Sequence, residues 1–244
     1  MVVSSAADNF LGSAELYDAI YHFKNYQREA ERLRELIGRL VPHARTLLDV
    51  ACGTGEHGKF LKQYYAVDGI DLNERYLAAA SAKNPIGRYV RADMTDFDLG
   101  TRYDVVTCLF SAIGYVKELA PLARAVGCMA RHVLNAGALL LEPWIPPERY
   151  RPGMLSINTG ETPQGLVCRM ALGRREARLS VISLHYLYGT RQGIEHHTEQ
   201  LELGLFTKEE MAHAFKLAGM YVEYEPEGLM GRGMYIGSFS APRA

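Results

Sequence analysis

The sequence has few cysteines and no cluster of one charge sign. Its 244 residues include four cysteines, none in a C-x-x-C pair, so reduced thiols are expected rather than a disulfide framework. The net charge is −1 and the basic residues are scattered, which argues against a nucleic-acid or membrane-surface partner. No apolar run approaches the roughly 18 residues of a membrane helix, and the opening "MVVSSAADNF" lacks the features of a signal peptide. We therefore expect a cytoplasmic protein that binds a small molecule.

Hydrophobic periodicity predicts an α/β fold. Apolar residues make up 48% of the chain and charged residues 23%, which is typical of a globular protein with a sizeable core. Strands alternating with helices predict a mostly parallel sheet covered on both faces. Predicted helices cover 26–40, 56–65, 73–82 and 119–133, and predicted strands cover 46–52, 66–72, 87–94, 103–110 and 137–144.

The pattern changes after Trp144. A proline-rich segment is followed by residues 165–204, where polar and apolar residues alternate in three antiparallel strands. Thr207 and Glu210 then form a predicted capping box before a helix, and two apolar stretches predict a terminal hairpin. We expect a main domain of residues 1–144 and 205–244, with an inserted antiparallel sheet in residues 145–204.

A glycine loop follows the first predicted strand. The stretch "GTGEHG" has the spacing G-x-G-x-x-G of a dinucleotide-binding loop, and Asp71 lies 18 residues after Gly53, near the position of a ribose-binding carboxylate. A nicotinamide oxidoreductase is therefore one interpretation. Asp49 inside the strand favours the positive amino acid part of S-adenosylmethionine over a diphosphate, and Asp93 followed by Met94 suits an adenine ring. These acids and the terminal hairpin are typical of class I S-adenosylmethionine-dependent methyltransferases, with a Rossmann-like sheet.

The sequence resembles, more narrowly, the N,N-dimethyltransferases that act on nucleotide-linked 3-amino-3,6-dideoxyhexoses. The resemblance covers nearly the whole chain. It departs from the family at Ile145, Pro146 and Met230, on the expected sugar side, and so does not specify the sugar or the nucleotide. The matching stretches are "ELYDAIY", "KNYQREA", "TLLDVACGTGEH", "DMTDFDLG", "CLFSAIGYV", "EPW", "GIEHHTE", "LFTKEEMAHAF" and "GRGMYIG".

The resemblance implies two sets of site residues and a homodimer. Arg169 and His185 are expected to reach the sugar nucleotide from the insertion, and Arg232 suits a diphosphate because its planar fork donates paired hydrogen bonds. The expected sugar-nucleotide residues are Tyr17, Ser111, Tyr115, Trp144, Arg169, His185 and Arg232. The expected S-adenosylmethionine residues are Tyr26, Ala51, Asp71, Asp93, Met94 and Leu109, to which the loop pattern adds Asp49, Gly53 and Gly55.

Tyr17 and Tyr115 are the candidate catalytic residues. A free tyrosine has a pKa of about 10, too high for an efficient base at neutral pH, so orientation of the amine is the expected role. No metal site is expected, because the adjacent His196 and His197 point to opposite faces of a strand. Besides the oxidoreductase, a methyltransferase for another small acceptor and a catalytically decayed binding module remain alternatives.

Overall fold

The computed structural model describes residues 13–241, so the opening "MVVSSAADNF" lies outside the described residues. A 3-10 helix covers Ala112–Val116. The α-helices are α1 (Ala14–Ile20), α2 (Tyr26–Leu40), α3 (Glu56–Leu61), α4 (Glu74–Lys83), α5 (Leu119–Arg131) and α6 (Lys208–Leu217). The strands are β1 (Thr46–Val50), β2 (Ala66–Asp71), β3 (Tyr89–Arg91), β4 (Tyr103–Cys108), β5 (Val133–Leu141), β6 (Leu155–Thr162), β7 (Gly165–Glu176), β8 (Leu179–Thr190), β9 (Gly193–Gly204), β10 (Tyr221–Glu225) and β11 (Met234–Ser238).

Seven strands form the main sheet in the order β10-β11-β5-β4-β1-β2-β3. The five strands from β5 to β3 are parallel, and β11 joins β5 and β10 in antiparallel register. This topology confirms the predicted α/β class with its terminal hairpin. The chain runs outward from β1 through β2 to β3 and then returns to β4 on the other side of β1. The carboxyl ends of β1 and β4 therefore border a topological switch point, where sheets of this kind bind ligands.

Helices cover both faces of this sheet, as the periodicity predicted. In α2, Asn25 caps the first turn by accepting a hydrogen bond from the backbone N–H of Arg28. The apolar side of α2 places Leu33 and Ile37 in the core. The capping box of Thr207 with Glu210 is confirmed at the start of α6. The helix predicted for residues 56–65 ends earlier, at Leu61, and residues 62–64 form a turn.

The region between β5 and α6 forms a separate antiparallel sheet in the order β6-β7-β8-β9. Three of these strands were predicted, but β6 was missed. This edge strand has little buried surface, and both Leu155 and Ile157 are exposed. Its apolar alternation is limited to Leu155 and Ile157, and the strand follows directly on a proline-rich segment.

Helix α1 packs on one face of the four-stranded sheet. Leu16, Ala19 and Ile20 contact a cluster that includes Val167 and Tyr186. Gly160 in β6 permits this approach, because a Cβ there would lie 2.3 Å from the carbonyl oxygen of Ala19. Among residues 13–241, no helix is long and apolar enough to cross a membrane.

Candidate active site

The glycine loop after β1 turns sharply through residues with positive φ. Ala51, Gly53 and Gly55 have φ values of 57°, 55° and 76°, a backbone region that favours glycine. A Cβ on Gly55 would lie 2.7 Å from the Cβ of Ala80 in α4, whereas one on Gly53 would meet no atom of residues 13–241 within 4 Å. The first glycine therefore borders open space, and the second allows the loop to pack against α4.

Asp71, at the carboxyl end of β2, holds this loop in place. The backbone N–H of Gly53 donates to its Oδ2 at 2.9 Å, and the N–H of Asn73 donates to its Oδ1 at 2.9 Å. Burial raises the pKa of the Asp71 carboxyl, while these hydrogen bonds oppose the shift. Asp71 thus shapes the loop and also places a carboxylate on the strand next to β1, at the same edge of the sheet.

Asp49 lies beneath the loop in the centre of the sheet. Its neighbour on β4 is Thr107, whose hydroxyl donates to Asp49 Oδ1 at 2.7 Å. Burial raises the pKa of Asp49 to about 6, and a nearby negative charge on Asp71 adds to the shift, whereas His57 and Thr107 oppose it. A buried carboxylate with a raised pKa is a good electrostatic partner for a cation that enters the cleft at the carboxyl ends of β1 and β4.

The other predicted cofactor residues come from four segments. Tyr26 begins α2, and its ring meets His57 edge-on at 5.0 Å between centroids. Asp93 is exposed after β3 and accepts from the backbone and hydroxyl of Thr95, while Met94 packs against the core. Leu109 is buried just after β4. Tyr26 thus enters from α2, whereas the other three follow strands β3 and β4.

A strained turn follows β4. Phe110 and Ser111 have φ values of 49° and 63°, which costs energy in non-glycine residues. Glu142, fully buried after β5, holds this turn because its Oε2 accepts from the backbone N–H of Phe110 at 2.6 Å. The Ser111 hydroxyl then donates to the carbonyl of Pro143 at 2.7 Å. Two strand ends are thereby joined at the edge of the cleft.

Arg232 reaches this turn from the terminal hairpin. Its Nη1 donates to Ser111 Oγ at 2.9 Å, and its guanidinium carbon lies 4.9 Å from the centroid of the Trp144 ring. The indole Nε1 of Trp144 is buried without a hydrogen-bond partner among the described residues. Ser111, Trp144 and Arg232, predicted from distant parts of the sequence, are therefore brought together.

Beside this group lies a buried ionic cluster that the sequence did not reveal. The Lys24 ammonium group, with a fully buried side chain, is 3.1 Å from Glu29, and His57 is 2.8 Å from the same carboxylate. Lys24 also contacts the sulfur of Met230 at 3.0 Å and lies 3.7 Å from the centroid of Phe110. Burial lowers the pKa of Lys24, and its ion pair with Glu29 opposes the shift.

Tyrosines form a wall opposite the strand ends. The Tyr17 ring lies 4.6 Å from Tyr21 and 5.0 Å from Tyr76 of α4, and Tyr21 meets Phe110 edge-on at 5.1 Å. Tyr115, in the 3-10 helix after β4, is 56% exposed. Desolvation by the surrounding protein is the main cause that raises the pKa values of Tyr17 and Tyr115, so both remain protonated at neutral pH.

The two insertion residues have different positions. Arg169 is buried, and donates to the hydroxyl of Tyr21 at 2.9 Å and to Asn158 at 2.8 Å, so it joins the sheet to the tyrosine wall. His185 is the neighbour of Met170, on the opposite face of the sheet, where it is exposed and stacks on His196. The structure therefore brings Arg169, and not His185, to the cleft.

Sequence reasoning did not single out Tyr21, Tyr76, Phe110 or Glu142. Tyr21 and Phe110 lie inside the matching stretches "ELYDAIY" and "CLFSAIGYV", and Glu142 begins "EPW". The sequence indicated Tyr76 only indirectly, through the predicted Asn73 cap of the helix that carries it. Tyr21 and Tyr76 contact the ring of Tyr17, and Glu142 holds the turn that contains Phe110 and Ser111.

Comparison with known proteins identifies relatives along most of the chain. Residues 47–137 match a family model described as a methyltransferase domain. A Streptomyces fradiae protein named dTDP-3-amino-3,6-dideoxy-alpha-D-glucopyranose N,N-dimethyltransferase is 42% identical over 228 residues, which cover 92% of this chain and 89% of the relative. The alignment is therefore long enough to include most of both sheets.

Solved structures of sugar methyltransferases are also similar to this chain over most of its length. The sugar N-methyltransferase KedS8 from Streptoalloteichus has a TM-score of 0.88 and 34% identity, with 99% of each chain covered. The S-adenosylmethionine-bound structure of CalS10, an amino pentose methyltransferase from Micromonospora echinaspora, has a TM-score of 0.84 and 33% identity, covering 92% of this chain and 97% of that one. These similarities include the inserted sheet.

Proposed function

Because this chain belongs to the family of S-adenosylmethionine-dependent N,N-dimethyltransferases of dTDP-linked aminosugars, we infer that it methylates the amine of a nucleotide-linked amino-deoxy sugar. The observation that carries this assignment is the 42% identity to a dTDP-3-amino-3,6-dideoxyglucose N,N-dimethyltransferase over 92% of the chain. We propose the 3-amino-3,6-dideoxy sugar as the acceptor and two successive methylations as the outcome.

The cleft fits S-adenosylmethionine. The open space at Gly53 leaves room for the amino acid part, and the buried carboxylate of Asp49 provides negative charge for its ammonium group. The Asp71 carboxylate, fixed by two backbone N–H groups, is positioned for the ribose hydroxyls. We further assign Tyr26, Ala51, Gly55 and the segments that contain Asp93, Met94 and Leu109 to this site.

The acceptor side offers donors for a sugar diphosphate. Arg232 carries a planar guanidinium, and beside it lies the Trp144 ring, whose buried N–H has no partner in the described part of the chain. Arginine suits phosphate because it donates parallel hydrogen bonds. Ser111 fixes Arg232 through its hydroxyl. We propose that this group binds the diphosphate, with Arg169 supporting the sugar side through Tyr21.

S-Adenosylmethionine supplies a sulfonium-bound methyl group that an amine can attack in line, with a neutral thioether as leaving group. The protein therefore has no departing anion to stabilise, and its main task is to hold the amine about 3 Å from the methyl carbon. Tyr17 and Tyr115 are suited to orient the amine by hydrogen bonding. Their raised pKa values make them poor bases, so the amine releases its proton to water in this proposal.

A methyl-transfer assay with defined acceptors tests the proposed function. Purified protein is incubated with S-adenosylmethionine and, separately, with dTDP-linked 3-amino and 4-amino deoxysugars and with free amino acids. We expect the mass of the 3-amino sugar nucleotide to increase by one and then two methyl groups. Transfer to an amino acid alone, or none to any aminosugar, would contradict the assignment.

We also propose that two copies pair through the four-stranded sheet. The face opposite α1 carries an exposed apolar surface, the apolar outer face, whose residues are each at least 37% exposed. Exposed apolar patches of this kind mark protein interfaces. Two such faces can pack as the layers of a β-sandwich in a twofold dimer. The residues of the apolar outer face are Leu155, Ile157, Leu166, Met170, Leu172, Leu187 and Ile194.

A further inference from the structure

Helix α1 connects the two sides of the cleft. On one side it packs against the four-stranded sheet, where Gly160 allows the backbone of Ala19 to come close. On the other side it carries Asp18, which faces the glycine loop. Tyr17 lies next to Asp18 in the chain, and its ring contacts Tyr76 of α4. The position of α1 therefore determines where the candidate orienting tyrosine lies relative to the cofactor loop.

Asp18 makes two polar contacts with cofactor-side elements. The Thr54 hydroxyl, inside the glycine loop, donates to Asp18 Oδ1 at 2.5 Å. The Lys83 ammonium group, at the end of α4, lies 2.6 Å from Asp18 Oδ2 and 2.7 Å from Glu56 at the start of α3. One carboxylate thus connects α1 to the loop directly and to α3 and α4 through a shared lysine.

The polar contacts of Asp18 are partly shielded from solvent. Thr54 is buried, and only 20% of the Lys83 side chain is exposed. Partly buried pairs are screened less by water and salt than the surface pairs that contribute little. The Asp18 side chain is 32% exposed, so it borders solvent. Its carboxylate can therefore separate from its partners without unpacking the core.

We propose that Asp18 is a positioning residue for methyl transfer: it holds α1, and with it Tyr17, closed over the glycine loop and slows the departure of the cofactor product. The inference depends on the proposed function, because it assumes that the loop binds S-adenosylmethionine. Two methylations of one amine require the spent cofactor to be replaced between them. Release of Asp18 from Thr54 and Lys83 opens the loop for this exchange.

The test measures the dissociation rate of S-adenosylhomocysteine, which needs no sugar acceptor. We expect Asp18→Ala to increase this rate about tenfold, which corresponds to about 1.4 kcal/mol. Asp18→Asn should have a smaller effect, because its amide oxygen still accepts from Thr54 while the ion pair with Lys83 is lost. Glu176→Ala, which removes an exposed carboxylate from β7, is the matched control and should leave the rate unchanged.

Steady-state kinetics and hydrogen exchange separate positioning from simple loss of stability. We expect the KM for S-adenosylmethionine to rise in the Asp18→Ala variant with little change in the KM for the sugar nucleotide. Amides of α1 should lose the protection that bound S-adenosylhomocysteine gives them in the wild type. If Asp18→Ala does not fold, Lys83→Met, which removes the ion pairs with Asp18 and Glu56 but keeps the hydrogen bond from Thr54 to Asp18, should give an intermediate rate.

The outcomes distinguish this inference from the proposed function. An unchanged dissociation rate and unchanged α1 protection in folded Asp18→Ala or Lys83→Met protein would overturn the positioning role, even if the enzyme methylates aminosugars. A lower melting temperature with unchanged rate would overturn it as well. Failure of the wild type to methylate any aminosugar, with the predicted rate changes still present, would contradict the proposed acceptor alone.

Discussion

Replacing Asp49 with Asn should remove a defined part of the pH dependence of folding. The carboxyl lies in the centre of the main sheet, almost fully buried, and its pKa is raised from 3.8 to about 6 by burial. A folded state with a raised carboxyl pKa binds the proton more tightly than the unfolded chain. This group therefore stabilises the fold at low pH, and its contribution is lost as the pH rises through about 6.

The magnitude follows from the two pKa values. Between pH 8 and pH 5, proton binding at Asp49 contributes roughly 1.4 kcal/mol to the free energy of unfolding, from the linkage relation applied to pKa values of about 6 and 3.8. The Asn variant has no such proton. When the pH is lowered from 8 to 5, the free energy of unfolding of the wild type should therefore increase by about 1.4 kcal/mol relative to that of Asp49→Asn.

Urea denaturation of both proteins without cofactor at the two pH values measures this difference. Titrating groups that lie far from Asp49 are present in both proteins and largely cancel. Thr107→Val provides a second comparison, because loss of the hydroxyl that lowers the pKa of Asp49 should enlarge the pH dependence. Equal pH dependence of the unfolding free energy in the wild type and Asp49→Asn would refute the conclusion that burial raises the pKa of this carboxyl.

Three further predictions concern the acceptor and the dimer. Tyr17→Phe and Tyr115→Phe should each reduce kcat modestly, by about tenfold or less, because positioning provides most of the catalysis; a fall of about four orders of magnitude in either variant's initial rate would identify an obligatory base. Arg232→Lys should raise the KM for the sugar nucleotide about tenfold while S-adenosylhomocysteine affinity, measured by calorimetry, stays constant, since lysine lacks the planar fork; equal KM values would remove Arg232 from the diphosphate site. Ile157→Glu should convert a dimer to a monomer in sedimentation velocity, whereas Ile86→Glu, at a residue that is 96% exposed outside the apolar outer face, should not; a wild-type monomer would contradict the dimer.

Local signals allowed the main sheet and the glycine loop to be predicted. Gly53 and Gly55 have positive φ, and the capping box of Thr207 involves residues close in sequence. The bond from Phe110 to Glu142 joins residues 32 apart, and the buried Lys24 depends on Phe110 and Met230 from distant segments. Such contacts depend on tertiary packing and leave no local pattern.

His185 illustrates a different limit. Residues on neighbouring antiparallel strands share a face only in the correct register, and a shift by one residue reverses the face. The hairpin between β7 and β8 pairs Arg169 with Tyr186, so His185 points away from Arg169. The sequence showed that both residues lie in strands, but not which residues are partners.

The close approach of Gly160 to Ala19 has a consequence for engineering. Residues 155–204 and helix α1 are far apart in sequence, yet they pack together through Leu16, Ile20 and Tyr186. A four-stranded sheet transplanted from a related enzyme would meet a foreign α1 unless both segments were moved. The unit of exchange is therefore discontinuous, and a chimera that grafts the sheet alone would join surfaces that do not match.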